Sequence, residues 1–126
     1  MRRWAMAMML AAVPGAAWAA PGDFSCRNDA AEISCDAKSC AVETQSFTPM
    51  GLSRRGRMLE ICAYSGCWSA PVRVRRTVGA TTLLYTEIRG GISGDPQPLS
   101  VIYDAEAKVA LMRWGGFAQP MNCSAR

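Results

Sequence analysis

MLEICAYSGCWSAPVRVRRTVGATTLLYTEI, residues 58–88, is the stretch whose periodicity decides the fold class. In Met58–Tyr64, Leu59, Ile61 and Ala63 fall on one side of an extended chain, and Met58, Glu60, Cys62 and Tyr64 on the other. In Val72–Val78, Val72, Val74 and Val78 alternate with Arg73, Arg75 and Thr77, which places the valines toward a core and the arginines outward. Arg76 breaks that parity, so either a bulge intervenes or the strand leaves the core before it. Leu83–Ile88 is apolar at both parities, which predicts a strand covered on two sides.

Outward from this stretch the pattern stays short and strand-like. Ala31–Cys35 and Cys40–Phe47 read as two strands around Asp36–Ser39, and Thr48-Pro49 stops the second, since proline cannot donate to a ladder. Gly90, Gly91, Gly94, Pro96 and Pro98 predict a loop with no regular structure. Leu99–Trp114 admits two readings. As a hairpin, Leu99–Tyr103 turns through Asp104–Ala107 and returns along Lys108–Trp114. As a helix, Asp104 caps Ala105–Trp114 and Gly115 ends it. The hairpin is preferred because Leu99, Val101 and Tyr103 need a partner strand. The sum is an all-β domain of about seven or eight short strands with at most one short helix, arranged as a small antiparallel sandwich or closed barrel.

The N-terminus reads as an export signal. Arg2 and Arg3 precede an uncharged, mostly apolar run, Trp4–Val13; Pro14-Gly15 breaks it, and Ala17-Trp18-Ala19 supplies a small-x-small cleavage site. Residues 1–19 are thus expected to be a secretory signal peptide, and residues 20–126 a single disulfide-stabilised domain, exported to the periplasm or secreted. No cysteine follows the cut directly, so no lipid anchor is expected.

Six cysteines lie beyond that cut: Cys26, Cys35, Cys40, Cys62, Cys67 and Cys123. An even count behind a signal peptide reads as three disulfides. The pairs Cys35–Cys40, Cys62–Cys67 and Cys26–Cys123 are expected, because two strands joined by four residues place their flanking cysteines opposite one another. The rival map joins the two close pairs crosswise. Zinc is disfavoured by the four-residue spacing and by the two cysteines it would leave unexplained.

The chain has no histidine. That removes Ser-His-Asp and Cys-His catalysis and the commonest general base near neutral pH. With every thiol bridged, no cysteine nucleophile remains, and no calcium loop, phosphate loop or metal-ligand spacing appears, so no cofactor is expected. Removing Arg2 and Arg3 from the fourteen basic residues leaves twelve against ten acidic ones, a net charge of +2. So small an excess argues against nucleic acid as a partner.

Charge is unevenly spread. Ala20–Phe47 carries five carboxylates against Arg27 and Lys38, whereas Leu52–Arg89 carries seven arginines against Glu60 and Glu87. Arginine favours bidentate contact with carboxylate or phosphate. Arg54, Arg55, Arg57, Arg73 and Arg75, with Trp68 and Tyr64 beside turns, are therefore the candidate binding residues; a solvated loop at Arg54–Arg57 and an ordinary strand face at Arg73 and Arg75 are the plain alternative. The expected function is a non-catalytic binding or inhibitor module, monomeric, recognising a protein or an anionic envelope component. The alternatives are a small carboxylate hydrolase and a purely structural envelope protein.

Overall fold

The computed structural model describes residues 22–90 and 94–125. The expected signal peptide therefore lies outside the described residues. Within them the chain is all β, with no helix, and forms eleven strands. These are β1 (Phe24–Arg27), β2 (Glu32–Cys35), β3 (Cys40–Glu43), β4 (Gly51–Arg55), β5 (Met58–Ala63), β6 (Gly66–Pro71), β7 (Val74–Val78), β8 (Thr81–Arg89), β9 (Pro96–Asp104), β10 (Val109–Trp114) and β11 (Phe117–Ala125).

All belong to one antiparallel sheet of order β6-β5-β4-β1-β11-β10-β9-β8-β7, with the β2–β3 hairpin branching from β11. The sheet curls on itself as a half-barrel. It is neither the seven- or eight-stranded sandwich nor the closed barrel that the sequence predicts. The two ends of the order, β6 and β7, are consecutive in the chain, and Val72-Arg73 crosses the gap between them. Val72 donates its amide to Arg57 O on the β5 side (2.7 Å), while Arg73 donates to Tyr85 O on β8 (2.9 Å). Thr86 Oγ1 adds a bond to Pro71 O (2.6 Å). These contacts tack the two ends together, but the backbone amides of one segment are divided between two neighbours, so no ladder closes the cylinder.

The core lies on the concave side. Phe24, Leu52, Leu59, Ile61, Leu84, Ile88, Leu99, Val101, Tyr103, Met112 and Met121 fill it, and Phe24 stacks on Tyr103 with ring centroids 4.1 Å apart. Trp68 and Trp114 cover one end, their ring centroids 5.7 Å apart. Gly90 lets them do so, because a Cβ there would lie 2.9 Å from Trp68 Cγ and 3.1 Å from Trp114 Cη2. Gly90→Ala is therefore expected to push both indoles out of place at a cost of about 1–3 kcal/mol. Chemical denaturation followed by tryptophan fluorescence checks this, with a red-shifted native spectrum as the companion signal.

Each disulfide joins residues that face one another in the ladder. Cys35–Cys40 closes the β2–β3 hairpin, Cys62–Cys67 the β5–β6 hairpin, and Cys26–Cys123 ties β1 to β11. Among the described residues no cysteine is free. Leu99–Trp114 is a hairpin, as preferred: β9 and β10 pair from Val109–Asp104 to Trp114–Leu99. Asp104 Oδ1 accepts the amides of Glu106 (2.9 Å) and Ala107 (2.8 Å), and Lys108 takes the left-handed conformation that completes the turn.

Four further expectations are corrected. In β7 the faces are reversed: Arg75 lies opposite buried Leu84, while Val74, Arg76 and Val78 lie on the outward side with Tyr85, Leu83 and Thr81. The strand has left the core and every residue of it is exposed, so the parity of Arg76 needs no bulge. Leu83–Ile88 is covered on one side only, because Leu84, Thr86 and Ile88 are buried and Leu83 is not. The segment through Pro96 and Pro98 is strand rather than loop; those residues pair with β8 but precede the first β10 pair at Leu99, so proline's missing amide leaves no gap in a second ladder. Finally, β3 stops at Glu43 instead of reaching Phe47, since Glu43 Oε1 accepts the amides of Gln45 (2.7 Å) and Ser46 (2.9 Å) and turns the chain away.

Candidate binding faces

The candidate arginines do not make one flat patch. Arg54 shares the concave side with Leu52 and is buried, with 6% of its surface exposed. Its Nε donates to Gly56 O (3.0 Å) and its Nη1 to Gly22 O (3.1 Å). Burial lowers the Arg54 pKa, the Arg75 charge lowers it further, and Asp23 opposes both. Arg73 is ion-paired with Glu87 (2.8 Å). Arg55 ends β4 and Arg57 sits in the turn that follows, both exposed. Of the two candidate aromatics, Tyr64 is exposed, and Trp68 is half-buried against the core. The structure thus brings Arg54 and Arg75 together beside Gly22, buries the first, and gives Arg73 to an ion pair instead.

The β2–β3 hairpin, which branches from β11, is organised by its own carboxylate. Asp36 Oδ1 accepts from Lys38 N (2.7 Å) and Ser39 N (2.8 Å), and these bonds hold the Asp36 carboxyl below its ordinary range.

The convex face carries what the sequence reading missed. One row of directly opposed residues runs Arg76, Leu83, Ile102, Leu111, Pro120 across β7, β8, β9, β10 and β11. At about 4.8 Å per strand it spans about 19 Å. Leu83, Ile102 and Leu111 expose 44–46% of their surface, and Val74, Val78 and Val109 beside them 42–77%. Ile102, Val109, Leu111, Pro120 and Asn122 also line a surface depression, to which Arg27, Asp29 and Asp104 contribute charge at its edge. Arg76 and Arg113 are exposed on the same face. The signal for this face was present in the sequence: Leu83 in a strand apolar at both parities has its buried partners on one side only, so its own side is available to something else.

Glu60, Cys62 and Cys67 are the one cluster of potential metal ligands among the described residues, and the Cys62–Cys67 disulfide removes both thiolates from it.

No protein-family model matches this chain, and neither does a curated protein or a solved structure. The functional reading therefore rests on the geometry of these faces. Three disulfides in so small a chain fit an extracellular or otherwise oxidising compartment.

Proposed function

We propose that this protein is an exported, non-catalytic binding module that docks an acidic protein surface on its convex face. The observation that supports this reading is the register-aligned row Leu83–Ile102–Leu111, apolar, exposed and continuous across three strands. Soluble proteins seldom leave so many large apolar side chains contiguous in water unless something covers them. A β-sheet fixed by its ladders presents them at little conformational cost. The charge of the partner follows from Arg76 at one end of the row and Arg113 beside it, both exposed. Two guanidinium groups flanking the apolar row complement carboxylates flanking an apolar centre, with Asp104 opposite Val109 marking the edge of that cationic stretch.

The test compares capture from an envelope extract by immobilised wild type and by the Leu83→Glu/Leu111→Glu variant, after circular dichroism shows both folded. Both substitutions are on the outward face, so the core is untouched. Wild type is expected to retain an acidic protein that the variant binds about 100-fold more weakly, as loss of two central anchors implies. Equal retention by the two proteins, or retention only of a non-protein anionic polymer, overturns the reading.

A further inference from the structure

We propose that Arg54 and Arg75 form a binding site for an oxyanion, a phosphate or carboxylate group, at the end of the half-barrel where the β4–β5 turn meets the start of β1. This site is on the concave side and is independent of the convex docking face.

The argument begins with charge accounting. Arg54 is more than nine-tenths buried, yet both of its hydrogen bonds go to neutral backbone carbonyls, Gly56 O and Gly22 O. The ion pairs among the described residues are Arg27–Asp29 and Arg73–Glu87, so no carboxylate there pairs with Arg54. Buried charges are ordinarily paired, because removing an ion from water is costly unless an opposite charge replaces the solvent. Here two charges act on Arg54 with opposite sign, Arg75 against its protonated form and Asp23 in favour of it, and the repulsion from Arg75 is the larger. Arg75, on the concave side of β7, approaches the same glycine: a Cβ on Gly22 would lie 2.8 Å from Arg54 Nη1 and 3.9 Å from Arg75 Nη2. No hydrogen bond or ion pair engages the Arg75 side chain among the described residues.

Asp23 does not complete the balance. Its Oδ1 accepts the Gly56 amide at 2.8 Å, which fastens the β4–β5 turn, and no ion pair joins it to Arg54. One carboxylate would in any case leave two guanidinium groups with an excess of one positive charge.

Gly22 gives the Arg54 guanidinium room. Its φ of +87° is one that residues with a Cβ rarely adopt, and a Cβ there would press on the Arg54 guanidinium. What results is a cradle of two planar donor forks whose acceptors among the described residues are two neutral backbone carbonyls, Gly22 O and Gly56 O. Such forks match phosphate and carboxylate oxygens, and charge-assisted bonds to them are about twice as strong as neutral ones. A bound oxyanion supplies the counter-charge that Arg54 lacks, and Arg54 is already held in place by two backbone carbonyls, so ordering it costs little.

The test is a titration of the disulfide-bonded protein with inorganic phosphate, read by NMR at the Gly22 and Gly56 amides and the arginine side-chain N–H groups. Sodium chloride at equal ionic strength is the reference. A saturable shift is expected with phosphate and not with chloride. Arg75→Gln, which removes an exposed side chain and leaves the core intact, is expected to weaken binding about tenfold, as loss of charge-assisted hydrogen bonds implies. Arg55→Gln, on the same hairpin but outside the cradle, is expected to bind as wild type does. A parallel titration with acetate identifies the source: competition by acetate assigns the site to carboxylates, and its failure assigns it to phosphoryl groups. Shifts reproduced by chloride, Arg75→Gln binding as well as wild type, or Arg55→Gln weakening binding as much as Arg75→Gln each overturn the proposal.

Discussion

Loss of the Cys26–Cys123 bridge, in a Cys26→Ala/Cys123→Ala variant, is expected to destabilise the protein by about 4.7 kcal/mol in loop-closure entropy alone. The reason is sequence separation. These cysteines stand 97 positions apart, so the bridge ties the first described strand to the last, whereas Cys35–Cys40 and Cys62–Cys67 each span only five positions. A six-residue loop restricts the unfolded chain by only about 2 kcal/mol. Cys26 is also buried and opposite Leu52 as well as Cys123, so its removal thins the core where β1 joins the two halves of the sheet. A stability of about 5–15 kcal/mol is ordinary for a domain, so this one bridge is a large share of it. Urea denaturation of the three double-alanine variants checks the ranking. Equal losses from all three would show that local hairpin geometry, rather than chain closure, decides the contribution.

The second large effect is expected at Phe24. Its ring is fully buried and stacked on Tyr103, bringing β1 against β9 across the concave side. Phe24 also lies opposite Arg54 in the neighbouring strand, at the point where β1 meets β4. Phe24→Ala should cost about 3–5 kcal/mol, the range for emptying an aromatic site in a packed core. Phe117→Ala, at a residue with 47% of its surface exposed, should cost less than about 1 kcal/mol. The two midpoints measured in the same denaturant series separate a core aromatic from a surface one.

The parts of the fold that were legible in the sequence are those where side-chain alternation coincides with burial on one side. Leu59 and Ile61 in β5, and Leu99, Val101 and Tyr103 in β9, are buried at alternate positions. Cysteine spacing pointed to two hairpins, since four intervening residues suit directly opposed partners. Four strands were not legible because their composition is not that of strands. GLSRR in β4 has a single apolar side chain, GCWSAP in β6 begins with glycine and ends with proline, FSCR in β1 is four residues long, and FAQPMNCSA in β11 contains a proline. They are strands because their neighbours supply the ladder, which is tertiary context overriding local preference.

The candidate site was legible only in part, and for a related reason. The arginines were visible as a cluster in sequence, but a curled sheet distributes a cluster over two surfaces. Arg54 could have been placed inward, because it shares parity with Leu52 while Ser53 and Arg55 take the other side. Arg75 could not, since the valines of β7 mimic a core face on a strand that has no core beneath it. The convex apolar row was hidden by an ambiguity of interpretation. A strand apolar at both parities means a second covering layer, and in this molecule the described chain does not provide that layer.

The most direct measurement is therefore of methyl resonances on strands β7 to β10 when the captured acidic protein is added to the isotopically labelled domain. Residues of opposite parity on the same strands serve as internal controls, because they differ only in the face they present. Docking on the convex face is expected to shift or broaden the methyls of Val74, Leu83, Ile102, Val109 and Leu111, and to leave those of buried Leu84, Leu99 and Val101 in place. Perturbations centred on the β4–β5 turn, or spread equally over both parities, would contradict the account.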